Sequence, residues 1–156
     1  MKLLQSPLLY FATILIVSSL VLACREMNPP EPPVSMQAIW DCYQSSNLDS
    51  LALRNALLGE WEWEYVECYW APEEASNISS HGVSIYFDAN GRLAVKLDNT
   101  FLESATWELK KGDSGLFELI SEPRITYLYG RVLLCEDRVL FNDSYVDDCD
   151  NYFKRN

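Results

Sequence analysis

From Gly59 to the end of the chain the apolar residues recur at every second position, and this period limits the fold more than any other feature. Trp61, Trp63 and Tyr65 alternate with Glu60, Glu62 and Glu64, the pattern of a strand with one buried and one wet face. The phase slips after Tyr65, because Val66, Cys68 and Trp70 take over the apolar positions; a β-bulge near Tyr65–Val66 accounts for the slip and curves the strand. Val83, Ile85 and Phe87 form the next run. Asp88-Ala89-Asn90-Gly91 turns it with an Asn-Gly hairpin signal, and Leu93, Val95 and Leu97 return. Ala105, Trp107 and Leu109 precede a turn at Lys110–Gly115, and Phe117 and Leu119 follow it. Ile125, Tyr127 and Tyr129 open a longer segment through Val132 and Leu134; Glu136-Asp137 turns into Arg138–Asn142, and Asn151–Arg155 closes the chain. About eight strands in roughly 100 residues, with tight connections and no helical period between them, describe an all-β domain. Successive hairpins predict an antiparallel up-and-down meander, and eight strands suffice to close it into a barrel. A sandwich is the alternative.

Upstream the pattern differs. Leu48, Leu51, Leu53, Ala56, Leu57 and Leu58 predict one short helix within residues 36–58, capped by Asn47 or Asp49. Residues 25–35 contain four prolines and read as an extended tether. Lys2 followed by the apolar run Leu8–Leu22 suits a secretory signal and is short for a membrane span. Leu20-Val21-Leu22-Ala23-Cys24 resembles a lipobox, which implies cleavage after Ala23 and lipid attachment, palmitate included, at Cys24. The organisation expected is a signal peptide at 1–23, a tether at 24–35, a helical segment at 36–58 and a barrel at 59–156.

The whole chain carries a net charge of −11; residues 1–23 hold Lys2 and no acid, so their removal leaves −12. Such a chain repels phosphate backbones, which argues against nucleic acid, and it lacks a polybasic patch for anionic lipid. Its membrane partner is expected through the lipid alone. Arg25-Glu26 after the lipid cysteine carries no Asp retention signal, which favours the outer membrane of a bacterial envelope. Cys42, Cys68, Cys135 and Cys149 remain after export, an even number that suggests two disulfides in any of three connectivities. With no Cys-x-x-Cys pair, no metal and no cofactor are expected.

Leu57-Leu58-Gly59-Glu60-Trp61-Glu62-Trp63 contains the Gly-x-Trp of lipocalins and, with the closing Tyr152-Phe153-Lys154-Arg155, resembles the lipocalin-like lipoproteins of the Bacteroidota over residues 57–156. The resemblance implies a barrel whose floor is closed by Gly59 and Trp61 of the first strand under Arg155 of the last. The chain departs from the family in Cys68-Tyr69-Trp70-Ala71-Pro72, which stands where a Gly-rich stretch often follows the first strand. Pairing Trp61 with Arg155 in antiparallel register sets Cys149 within one bulge of Cys68. The resemblance therefore implies Cys68–Cys149 and leaves Cys42–Cys135.

Catalytic chemistry has weak support. His81 is the single histidine, and Asp88 or Asp143 would have to complete a Ser-His-Asp set without a nucleophile elbow; a solvated loop histidine is the plainer reading. Glu60, Glu62 and Glu64 lie on one face of one strand, whereas glycosidase carboxylates flank a substrate. Asn142-Asp143-Ser144 and Asp147–Asn151 are carboxylate-rich but lack calcium-loop spacing, and they read as turns. No enzyme is expected. Trp63, Phe87, Trp107, Phe117, Tyr127 and Phe141 are expected to point inward with Trp61. They either line a cavity for a small apolar or amphiphilic ligand or fill the barrel, in which case the partner is another protein, with this chain as an accessory or inhibitory subunit.

Overall fold

A computed structural model describes residues 34–69 and 82–156. The signal, Cys24, nearly all of the tether, Trp70 and His81 lie outside the described residues. Two helices, α1 (Met36–Ser46) and α2 (Ser50–Leu57), precede eight strands: β1 (Gly59–Cys68), β2 (Val83–Phe87), β3 (Arg92–Leu97), β4 (Thr100–Lys111), β5 (Phe117–Glu122), β6 (Arg131–Cys135), β7 (Arg138–Asn142) and β8 (Cys149–Arg155). Each strand pairs antiparallel with the next, and β8 pairs with β1. The result is a closed up-and-down barrel, the architecture expected from the successive hairpins, and not the alternative sandwich.

Odd-numbered connections, from β1–β2 to β7–β8, lie at one end, here the mouth. The short hairpins β2–β3, β4–β5 and β6–β7 lie at the other, the floor. Asp98 and Asn99 turn β3 into β4 with positive φ at both residues, a conformation these two side chains tolerate. At the floor hairpin β2–β3, the Asp88 carboxylate accepts from the backbone N–H of Asn90 at 2.7 Å and of Arg92 at 3.2 Å, which holds it below the usual carboxylate range. Asp88 is thus committed to its own turn.

The β1 slip occurs one step before the predicted place. Register against β8 shifts between Trp63 and Tyr65, so Glu64 is the bulged residue. Trp61, Trp63, Val66 and Cys68 are buried in the barrel core, whereas Tyr65 turns to the outer wall and meets Tyr152 there. The expectation that Tyr65 shares the inner face of Trp61 and Trp63 is thereby corrected. A second correction concerns residues 125–129. Their alternation mimics a strand, yet Thr126–Leu128 forms a 3₁₀ turn over the mouth and β6 begins only at Arg131.

A third difference is α1, absent from the single helix expected. Ser35 caps it, its side-chain oxygen accepting from the Ala38 N–H at 3.3 Å. The helix lies outside the barrel, where Ile39 and Tyr43 pack on Leu133, Leu140 and Tyr152. The Cys42–Cys135 disulfide, with Cα atoms 5.7 Å apart, fastens it to the floor end of β6. Cys68–Cys149 joins β1 to β8 at the mouth, with Cα atoms 4.4 Å apart. Both pairs are those that follow from setting Trp61 opposite Arg155, and that register is present.

Candidate functional site: the mouth of the barrel

The floor is sealed. α2, capped by the Asp49 carboxylate on the Ala52 N–H at 2.8 Å, places Leu53 and Leu57 wholly inside the core. The Trp61 indole donates to the Leu57 carbonyl at 2.7 Å, and the Arg155 guanidinium lies 4.3 Å from the Trp61 ring centroid. Arg155 also donates to the carbonyls of Leu58, at 2.9 Å, and Ala56, so it satisfies groups that the end of α2 leaves unpaired. Gly59 is required by this arrangement: its φ is +113°, and a Cβ would come within 3.2 Å of Arg155 Nη1. On the same end, Arg54 covers Trp107 at 4.4 Å from the ring centroid.

Above the floor the expected inward aromatics interlock. Phe87 meets Trp107 edge-on at 5.0 Å, Phe141 meets Phe153 edge-on at 5.5 Å, and Trp63 stacks on Phe153 at 5.8 Å. Phe87, Trp107 and Phe141 are core residues and Phe117 is half-buried against them; none of the four lines the mouth pocket. Trp63 and Tyr127 do. They stack with ring centroids 4.7 Å apart, and together with Val66, Thr126, Asp148, Cys149 and Asn151 they bound a pocket of about 200 Å³ with mainly apolar walls. The Tyr127 hydroxyl donates to Glu103 at 3.4 Å; burial, then the charge of Glu103, raises its pKa above that of an ordinary tyrosine, so it remains a neutral donor. Tyr127 reaches this place from the 3₁₀ turn, and the strand assigned to it in the sequence would not have lidded the opening.

The carboxylate-rich stretch beside the mouth is turn architecture. Asp150, wholly buried, accepts through Oδ1 from Asn142 Nδ2 at 2.9 Å and from the N–H groups of Asp143 and Ser144, both at 3.0 Å. Its Oδ2 accepts from the Ser144 hydroxyl at 3.0 Å. Among the described residues, no group of three or more His, Cys, Asp and Glu side chains is placed to hold a metal ion. Glu60 faces Ser84 and Lys96, and Glu64 faces Arg138 at 3.2 Å, on the outer wall.

Asp143 is the unsatisfied member of the turn. It is buried, its Oδ1 has no hydrogen-bond partner among the described residues, and burial together with Asp148 raises its pKa against the smaller opposing effect of Arg124. Because the folded value lies above that of the unfolded chain, the folded state binds the proton more tightly, and stability falls as pH rises through that interval. Asp143→Asn is therefore expected to melt at a higher temperature than the wild type at pH 7. The gap should close as pH approaches the ordinary carboxylate range, which thermal denaturation across pH checks. A variant less stable than the wild type at pH 7 contradicts this assignment.

A separate groove of about 460 Å³ on the outer wall, between Tyr86, Arg92, Ser104, Thr106 and Glu122, is open and lined by both polar and apolar surface. None of the described helices is long and apolar enough to cross a membrane. No protein-family model, curated protein or solved structure matches the chain.

Proposed function

We propose that this chain is a non-enzymatic binding barrel of the lipocalin-like kind, lipid-anchored at Cys24 in a bacterial envelope, which takes a small apolar group or the apolar end of an amphiphile into its mouth. The observation that carries the reading is the asymmetry of the two ends: one is plugged by Leu53, Leu57, Trp61 and Arg155, and the other holds an apolar pocket of about 200 Å³ floored by Trp63. That volume suits one ring or a short acyl segment and is below the ~300–1,000 Å³ usual for sites that engulf a drug-sized ligand. The head of an amphiphile would stay at the rim, where Thr126, Asp148 and the Tyr127–Glu103 pair offer polar contacts. The outer-membrane location rests on the signal sequence and on the residues after Cys24.

The interlocked aromatics below Trp63 favour a second reading, a filled barrel that acts on a protein partner. Native mass spectrometry of the domain from Val34 onward, exported to an oxidising compartment, separates the two. Ligand binding predicts an added mass that organic extraction removes. A clean mass with two disulfides, unchanged after incubation with acyl amphiphiles, overturns the ligand reading and supports the filled barrel.

A further inference from the structure

Among the described residues, the mouth is rimmed by apolar side chains that stay exposed. Phe101, Leu102 and Val146 are 61%, 52% and 57% exposed. Leu97 and Tyr69 are exposed at the end of β3 and just after β1, and Tyr145 in the β7–β8 turn is exposed on one side, with the Arg131 guanidinium 3.7 Å from its ring centroid on the other. The other large apolar side chains that stay exposed on the described part are Met36, where α1 begins, Leu51 on α2 at the floor, and Tyr86 on the outer wall. On the described part, exposed apolar surface therefore concentrates at one end.

The chain also enters at that end. Met36 lies beside the last residue of β7, with its sulfur 3.7 Å from Asn142 Nδ2, whereas Cys42, one and a half turns on, is bonded to Cys135 at the floor end of β6. α1 thus runs from mouth to floor, and the segment joining it to Cys24 leaves from the mouth. Those 12 residues span at most roughly 40 Å when fully extended. An anchor at Cys24 would hold the rim toward the bilayer and the floor away from it.

We propose that the mouth is the bilayer-facing end and that its rim seats in the interfacial layer of an uncharged, zwitterionic leaflet. This rests on the lipid attachment at Cys24 proposed above. Apolar side chains on loop tips partition into the headgroup boundary, and a tether makes even weak partitioning effective by confining the rim near the surface. The leaflet is specified as uncharged because Asp98, Asp147 and Asp148 stand in the same turns as the apolar residues, and they would be repelled by anionic lipid. In this pose the pocket above Trp63 opens directly onto the membrane, so an amphiphile could pass between them without crossing water.

Hydroxyl-radical footprinting tests the pose. The mature lipoprotein is placed in phosphatidylcholine vesicles, and a Cys24→Ser chain exported by an ordinary signal serves as the free reference. Phe101, Leu102, Tyr145 and Val146 should label severalfold more slowly in vesicles than in the reference, while Tyr86 and Leu51 label equally in both. A Phe101→Asp, Val146→Asp double variant should stay with the vesicles through its lipid, yet return Leu102 and Tyr145 to the reference rate. Adding phosphatidylglycerol should weaken the protection. Protection of Leu51 in place of the rim, a rim labelled at the reference rate, or stronger protection with phosphatidylglycerol overturns the proposal. The intact mass of the same sample reports acylation: an acylated chain with an unprotected rim refutes the docking alone, and an unacylated one removes the anchor and the docking together.

Discussion

Trp61→Ala is expected to lower the unfolding free energy by about 4 kcal/mol or more, the largest effect of any single substitution proposed here. Emptying a fully buried aromatic site costs about 3–5 kcal/mol, and the lost cation–π contact with Arg155 adds about 0.5–2 kcal/mol. The indole also donates to the Leu57 carbonyl, so its loss leaves a buried acceptor unpaired at the junction of α2 and β1. Because small domains retain only about 5–15 kcal/mol in total, the variant should unfold at markedly lower urea and approach collapse at moderate temperature. A shift of the urea midpoint worth less than about 1 kcal/mol would mean that the floor is held by α2 packing and not by the Trp61–Arg155 contact. Arg155→Met separates the two contributions, since it keeps an unbranched apolar stem over the ring and loses the charge and both hydrogen bonds to α2.

Removing the outer disulfide should come next in size. Cys42–Cys135 closes a loop of 93 residues, which the chain-entropy model values at about 4–5 kcal/mol, less where the reduced chain retains structure. A Cys42→Ser, Cys135→Ser variant should keep the barrel and release α1, which exposes Leu133, Leu140 and Tyr152 on the outer wall. The expected signature is a lower melting temperature, new binding of a hydrophobic dye, and amide exchange gained in residues 36–46 with the β1–β8 seam unchanged. Global loss of protection in β1 and β8 would show instead that α1 is integral to the barrel. Cys68–Cys149 differs in kind, because it crosslinks two strands already paired by the barrel's closure.

The barrel was legible because an antiparallel strand with one wet face writes its orientation into every second residue, and the turns between strands require Asn, Asp and Gly. The cysteine pairs were legible once the resemblance set Trp61 against Arg155, since a two-stranded register leaves no freedom further along the pair. What escaped was α1. Ile39, Trp40 and Tyr43 are too few among polar neighbours to declare a helix. The signal that could have found it lies elsewhere: Val132-Leu133-Leu134 and Val139-Leu140-Phe141 are apolar on both faces, and a strand of that composition needs cover on its outer wall as well as its inner one. The 3₁₀ turn at Thr126–Leu128 was hidden for the opposite reason. Ile125, Tyr127 and Tyr129 alternate correctly for a strand, but Pro123 and Gly130 bound them too closely to leave one.

The candidate site was legible only in part. Aromatic composition indicated an inward set, yet period alone does not tell a packed ring from a lining one. Phe87, Trp107 and Phe141 proved to be packing, while Trp63 and Tyr127 form the pocket, the second only because a turn folds it over the opening. The polar pocket residues Asn151, in the wall, and Thr126, at the rim, carried no sequence signal of their own.

The most direct test of a mouth-binding barrel is tryptophan quenching by an acyl amphiphile brominated near the end of its chain. The account predicts saturable quenching that Trp63→Phe largely removes and Trp107→Phe leaves intact, because Trp63 borders the pocket and Trp107 lies beneath Arg54 at the sealed floor. Quenching that survives Trp63→Phe but disappears with Trp107→Phe, or no saturable quenching at all, would contradict it.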